Sequence, residues 1–330
     1  MKSSQKRIGI HRRDERTVFS VIMPAYNSSE HIAEAIDSML NQTFQAFELI
    51  IVDDGSTDDT LSIVNEYAAR DNRIRIIEQQ NGGVGAARNT GIEAAQYDWI
   101  ALFDSDDIAF TDRFEKQVKA ITEDPELIVC SGAVQHMGYN GKILDDVKQV
   151  GPATKADFYE QRKQGQLIYI ATTAAVFRKD IAQRIGGFDV RFRSAGDTEF
   201  WDRMADHGPM IGLTDPLVYY RMHGGGIMGT RYAELYRNTR YLEMRCKERA
   251  HGRDLSFDDF LQDYENQPLP QRILTHADRQ SQFYYRNAGV ALSKQERLKG
   301  FGYVMMATLF NPYLTVKRIG KRLTNKYFST

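Results

Sequence analysis

Asp104, Ser105, Asp106 and Asp107 follow directly on the apolar run Trp99–Phe103, so three carboxylates crowd the end of a segment of strand length. Oxygen donors grouped in this way suit a hard divalent cation that keeps part of its water shell and is completed by substrate phosphates. No Cys/His spacing in the chain suits zinc. The same residues also read as a solvated turn before a helix that begins near Thr111, because Asp and Ser favour such positions. A second acid group has the same setting: Phe47–Val52 is β-rich and runs into Asp53, Asp54, Gly55, Ser56, Thr57 and Asp58. Two strand ends would then deliver acids to one rim, where ligands of open α/β sheets bind.

The elements that must hold those acids follow from the flanking patterns. Val18–Met23 reads as a first strand ended by Pro24, and Asn27 to Glu30 reads as a capping box opening a helix to about Leu40. Arg73–Ile77 is a third strand. After it, Asn81–Asn89 carries glycines at 82, 83 and 85 that permit close backbone approach, then a small-residue helix to about Ala95 whose start could cradle an anion. Strand–helix alternation predicts a parallel, doubly wound sheet with right-handed crossovers. Gly83-x-Gly85-x-x-Arg88 invites a dinucleotide reading, with Asp104 roughly 20 residues on as the ribose acid. Against it, Arg88 stands in place of the third glycine, the motif follows the third strand, and a nicotinamide site leaves two acid-ended strands unexplained. Further on, Leu127–Val134 reads as a strand with Ile143–Val150 as an edge partner, and Ile168–Phe177 as another, followed by a helix through Ile185 and the pair Gly186-Gly187.

Four ordered blocks carry a resemblance: Ser20–Asn27, Ile51–Asp58, Asn81-x-Gly83-x-x-x-Ala87-Arg88-Asn89-x-Gly91, and Asp104-Ser105-Asp106. Together they resemble the inverting glycosyltransferases of family 2, over roughly residues 17 to 225. The resemblance implies a GT-A fold, a Rossmann-like, mostly parallel mixed α/β sheet, here with a helical C-terminal extension. It implies that Asp104 and Asp106 form the D-x-D element around Ser105, with Asp106 the direct ligand of Mn²⁺ or Mg²⁺. Asp54 would hold the nucleobase, with Pro24, Tyr26 and Asp53 shaping its pocket. Arg88 would meet the donor's diphosphate or sugar; alternatively it is a helix-start arginine that ties down a neighbouring acid.

Sugar transfer also needs a carboxylate to take the acceptor's proton on the face opposite the leaving group. Arg191–Trp201 resembles the family's catalytic acid segment, which makes Asp197 the candidate base and Glu199 the second choice. Where the family commonly has Glu-Asp, this chain has Gly196-Asp197. An Asp at that point equally suits a helix start. Pro216–His223 resembles the family's Tyr-Arg-x-His segment, implying His223 as a third metal-site residue on a loop hinged at Gly224–Gly226; an ordinary surface histidine is the other reading. Thr172 and Thr173 line the acceptor cleft or belong to sheet core. Arg231 reaches phosphate or lies on a solvated face.

Composition bounds the remainder. With 330 residues, 42% hydrophobic content and net charge −1, the chain has room for a sizeable core and an appended region, and is no general polyanion or nucleic-acid binder. Cys130 and Cys246 form no pattern, which points to a reducing cytoplasm, and Met1–Arg16 is basic without the apolar core of a secretory signal. The division expected is a basic arm (1–16), a GT-A domain (17–228) and a helical region (229–330). In the last, Tyr232, Leu235, Thr239, Leu242 and Cys246 share a helix face, a second helix spans about Arg272–Val290, and Phe301–Phe310 falls short of the about 20 apolar residues a bilayer requires. Beyond Pro312, Val316, Ile319, Leu323 and Tyr327 face one way, with Lys317, Arg318, Lys321, Arg322 and Lys326 supplying charge. This reads either as an interfacial helix on the anionic inner leaflet or as a packed helix with a basic edge.

The resulting expectation is a metal-dependent inverting transferase. It would move a sugar from a nucleotide-sugar, a UDP-sugar foremost, to a glycan or lipid-linked acceptor of surface polysaccharide, in the cytoplasm or peripheral on the membrane's cytoplasmic face. The alternatives are a non-catalytic nucleotide-sugar-binding subunit and a nucleotidyltransferase, whose glycine- and lysine-rich first loop is absent after Met23.

Overall fold

Two seven-residue strands, β1 (Phe19–Ala25) and β2 (Phe47–Asp53), are buried at every position, as strands covered on both faces must be. The computed structural model describes residues 18–144, 146–222, 231–293, 296–313 and 315–316. Between and after these strands come α1 (Ile32–Leu40), α2 (Thr60–Ala68), β3 (Ile74–Glu78), α3 (Val84–Ala94), β4 (Trp99–Leu102) and β5 (Ile108–Ala109). The chain continues through α4 (Arg113–Glu123), β6 (Val129–Gly138), α5 (Lys155–Lys163), β7 (Val176–Arg178), α6 (Lys179–Arg184), α7 (Gly196–Met204) and β8 (Met210–Met222). Four helices close the described chain: α8 (Tyr232–Ala250), α9 (Phe257–Glu265), α10 (Leu269–Ser293) and α11 (Arg297–Phe310).

The sheet runs β3-β2-β1-β4-β7-β6-β8-β5. β1, β2, β3 and β4 are mutually parallel, β7 is antiparallel to both its neighbours, β6 and β8 are parallel, and β5 is antiparallel to β8. The sheet is therefore mixed and mostly parallel, a GT-A architecture rather than a wholly parallel one. Strand order reverses between β1 and β4, and the loops after these two strands flank the crevice where a ligand belongs. Phe19, Val21 and Met23 of β1 pack with α1 and α4 on one face, while Ile22 packs with α3 and α7 on the other. Gly91 makes the second contact close: a Cβ there would lie 2.4 Å from Ile22 Cγ2.

Four local expectations change. The capping box at Asn27–Glu30 does not form; α1 starts at Ile32 after His31, without a side-chain cap. Asn27 instead adopts a positive φ of 47° and accepts the Thr57 amide at 2.8 Å, because the loop after β1 pairs with the loop after β2. Pro24 does not end pairing, which continues with β2 to Ala25↔Asp53. Ile143–Val150 contributes only isolated bridges, Val134↔Lys148 and Met137↔Ile143. Finally, Ile168–Phe177 is not one strand: Thr172–Ala174 is a 3₁₀ turn that precedes the short β7.

The C-terminal helices dock through a separate apolar cluster of Leu167, Phe192, Tyr241, Leu242, Cys246 and Phe260. Beside it lies Asp202 of α7, its side chain fully buried and paired with Arg162, Arg245 and Arg249 at 3.4, 3.0 and 3.0 Å. The helix pair α10–α11 is pinned by Tyr284 stacked on Phe310 and joins α8 through Phe283 against Tyr232. Among the described residues no helix is long and apolar enough to cross a membrane.

Candidate active site

The loops that leave β1 and β4 meet at Ser28 Oγ and Ser105 Oγ, 2.8 Å apart, so the acid loop is tied to the first strand's exit. Asp104 accepts a hydrogen bond from Arg88 Nη2 at 2.9 Å. Arg88 is only 6% exposed, and its guanidinium lies 5.3 Å from the centre of the Phe188 ring. The contact with Asp104 is the acid-tying one; it also places Arg88 beside the acid loop. Its neighbour Asn89 exchanges two hydrogen bonds with Phe188, donating to the carbonyl at 2.8 Å and accepting from the amide at 2.7 Å. Thus α3 fastens both the acid loop and the segment that leads to Asp197.

The third acid, Asp107, is almost fully buried and accepts the Arg221 amide at 2.8 Å. Burial pushes its carboxyl well above the usual range, and the negative charges of Asp104 and Asp106 add to the effect. Arg221 itself is buried and donates to Asp106 O, Tyr139 O and Glu34 Oε2 at 2.7, 2.9 and 2.6 Å. It clamps the acid loop from β8. Behind the loop, Arg113 is fully buried and donates to Leu102 O at 3.0 Å; burial brings its guanidinium down to about 9, with Asp107 and Asp104 opposing that drop.

Asp197 occupies the first turn of α7, after Ala195 in a left-handed conformation at φ 60°. It is not the N-cap, and its Oδ1 accepts the next amide, Thr198 N, at 2.8 Å. The 3₁₀ turn reaches it from the sheet side. Thr172 Oγ1 lies 3.4 Å from Asp197 Oδ2 and accepts the Trp201 indole N–H at 3.0 Å, while Thr173 Oγ1 accepts the Asp104 amide at 3.2 Å. Adjacent threonines therefore hold the acid loop and the candidate base. Tyr220 reports the same convergence: burial first, then the charges of Asp104, Asp107, Asp106 and Asp197, raise its hydroxyl. Glu199, the second choice of base, is buried and forms a two-point ion pair with Arg203 at 2.5 and 2.7 Å, which removes it from the open site.

On the other side, Asp54 is buried and accepts Gln79 Nε2, Gly82 N and Gly83 N at 2.7, 2.9 and 2.8 Å. It shapes the glycine loop. Asp53 accepts Ser56 N at 3.2 Å, while its Oδ1 is buried without a partner. Pro24 is buried and Tyr26 is half exposed at the rim. The glycine loop and the start of α3 line a cavity of about 250 Å³, with Arg193 and Arg231 among the lining residues. Arg231 is exposed and lies beside the glycine loop. His223 and Gly224–Gly226 lie outside the described residues.

Sequence reasoning counted Asp107 only within the acid cluster and gave no individual role to Asn89, Trp201 or Arg221. Their partners lie far along the chain, and Arg221 was visible only as the arginine of the Tyr-Arg-x-His segment.

Among the described residues no three His, Cys, Asp or Glu side chains form a metal-holding group. A divalent ion implied by the D-x-D element nevertheless fits the chemistry. The charges of Asp104 and Asp106 are strong enough to raise Asp107, and two carboxylates suffice for an ion otherwise held by diphosphate oxygens and water.

A mixed, mostly parallel sheet with acids gathered at its strand ends defines the class as GT-A. Solved structures agree. Staphylococcus aureus TarS residues 1–349, in complex with UDP-GlcNAc, superposes with a TM-score of 0.59 at 21% identity, over 90% of this chain and 91% of that one. The mannosyltransferase PcManGT of Pyrobaculum calidifontis, in complex with GDP-Man and Mn²⁺, gives 0.54 at 18%, over 91% and 88%. The family model described as glycosyl transferase family 2 matches residues 20–186, half of the chain, and the chain belongs to that family. EpsH of Bacillus subtilis, named as a glycosyltransferase, is 39% identical over 136 residues, which are 41% of this chain and 39% of EpsH. The chain spans about a third to a half of the curated relatives it matches first.

Proposed function

We propose that this chain transfers a sugar from a nucleotide-sugar, a UDP-sugar foremost, to a hydroxyl of a glycan or lipid-linked acceptor, with inversion, in surface polysaccharide assembly on the cytoplasmic side. Residues 17–228 would form the catalytic unit, with 1–16 as an arm and 229–330 as a helical region. The observation that carries this reading is the Thr172–Thr173 turn, which holds the Asp104 backbone and the Asp197 carboxylate on neighbouring residues. UDP-GlcNAc in TarS and GDP-Man in PcManGT support a nucleotide-sugar donor.

In this reading Pro24, Tyr26, Asp53 and Asp54 form the nucleobase side, and Arg88, Asp104 and Ser105 the diphosphate and sugar side. Asp104 and Asp106, with His223, would hold Mn²⁺ or Mg²⁺, which when bound offsets the charge that develops on the diphosphate. Asp197 takes the proton of the acceptor hydroxyl as the hydroxyl oxygen bonds to the anomeric carbon, and the bond from that carbon to the diphosphate oxygen breaks to release the nucleoside diphosphate. The Trp201 indole occupies an acceptor site of Thr172, which leaves the Thr172 hydroxyl proton for Asp197 Oδ2. Arg221 and Thr173 keep the acid loop in place.

The test is release of free nucleoside diphosphate from a panel of nucleotide-sugars, with Mn²⁺, with Mg²⁺ and with EDTA. Metal-dependent turnover of one donor is expected. It should fall by about 10²- to 10⁴-fold in Asp197→Asn, the range for loss of a general base, while nucleotide binding survives. Donor binding without turnover after acceptors are added would make the chain a non-catalytic subunit. Release of pyrophosphate from a nucleoside triphosphate would make it a nucleotidyltransferase.

A further inference from the structure

The near-zero net charge conceals a segregated chain. Residues 269–330 hold eleven Lys/Arg and two Asp/Glu, whereas residues 1–268 hold 32 and 42. From Arg297 to Thr330 there are seven basic residues and no acid. The same region carries a band of exposed apolar side chains. Leu298, Phe301, Met305 and Leu309 of α11 are 91, 65, 59 and 74% exposed, and at about 100° per residue they fall within about 80° of the helix circumference. Gly300 and Ala307, on the opposite side of α11, are buried. Tyr313 and Val316 continue the exposed band, and Leu269, Ile273 and Leu274 are exposed at the start of α10.

An exposed apolar stripe in a region with many more lysines and arginines than acids is the pattern of a helix that lies in a membrane interface, its apolar side chains among acyl chains and its lysines and arginines on anionic headgroups. We propose that the outer face of α11 docks on an anionic bilayer. A contact between copies of this chain would set like charge against like charge, and a nucleic acid would leave the apolar stripe in water. The docking reading does not depend on the transfer reaction. The basic segment 317–330 lies outside the described residues; the apolar stripe on α11 is the part of the surface that the structure supplies.

The experiment is co-sedimentation of the full chain with vesicles of phosphatidylcholine alone and of phosphatidylcholine mixed with phosphatidylglycerol. The wild type should bind the mixed vesicles at least ~10-fold better than the neutral ones, and lose that preference as salt rises. A Leu298→Ser, Phe301→Ser, Leu309→Ser triple variant should bind at least ~10-fold more weakly with an unchanged thermal melt, since all three side chains already face solvent. Phe301→Trp supplies a second readout that does not rely on loss: its fluorescence should be quenched by brominated acyl chains in mixed vesicles only. Failure to bind mixed vesicles, equal binding by the triple variant, or absent quenching would each overturn the proposal. So would a dimer in sedimentation velocity that the triple variant dissolves while no vesicle is bound.

Discussion

Asp107 and Asp202 are both buried carboxylates, yet their surroundings are opposite. Asp202 is enclosed by Arg162, Arg245 and Arg249 and accepts the Cys246 thiol at 3.1 Å. Asp107 accepts the Arg221 amide and has the Thr173 hydroxyl and the Arg113 guanidinium near it, yet it also sits against two further carboxylates. The first arrangement saturates an acid with positive charge and fixes α5, α7 and α8 to one another. In the second, burial and the charges of Asp104 and Asp106 outweigh the nearby arginines and drive Asp107 toward its neutral form at the end of β4. Burial alone therefore does not distinguish the two acids; the balance of charge around each does.

The sharpest way to break this comparison is to remove the charges. Asp202→Ala leaves three arginines without their acid and should cost about 3–5 kcal/mol of unfolding free energy, read from denaturant midpoints. Asp107→Asn keeps an acceptor for the Arg221 amide and relieves repulsion, so it should stay within about 1 kcal/mol of wild type. Equal losses would mean that the acid loop is a fastening too. A smaller effect is expected at the Thr172–Thr173 turn, between the acid loop and α7. Thr172→Val should lower kcat for the transfer by about 10-fold with the donor KM unchanged, and Thr172→Ser should restore it, because the hydroxyl orients Asp197 without touching the donor. A loss confined to KM would remove Thr172 from the base.

The smallest effect concerns Asp58, which accepts Ser29 N and Thr60 N at 3.1 and 3.0 Å beside the same rim. Burial works to raise its carboxyl, but the hydrogen bonds from Thr60 and Ser29 prevail and bring it to about 2. A folded-state value below the ordinary ~3.9 stabilises the protein above that ordinary value, and the contribution fades as pH falls through about 2. Asp58→Asn should therefore be slightly less stable than wild type at neutral pH. The gap should close in denaturation curves taken between about pH 4 and pH 2.

Much of this architecture was legible in the sequence because it is local. Apolar runs gave β1, β2 and β4, helical spacing gave α8 and α10, and ordered motif blocks placed the acids at strand ends. What escaped notice depends on pairing across the chain. Asn27 looks like a helix cap until the loop after β2 offers its amide, and Ile168–Phe177 looks like a strand until two hydroxyls are drawn to Asp104 and Asp197. The three arginines around Asp202 come from two helices more than 80 residues apart in sequence at their extremes, Arg162 and Arg249. No spacing rule joins them.

Gly91 shows how far such dependence reaches. Its hydrogen-only side chain lets α3 lie against Ile22, and one helical turn upstream on the same helix Arg88 meets Asp104. A single added methyl group would force the Ile22 side chain or the helix to move. In a map of mutational tolerance, position 91 would then score beside the acids themselves, although it sits in the wall of the fold, and the map would draw the site larger than the set of atoms that meet substrate.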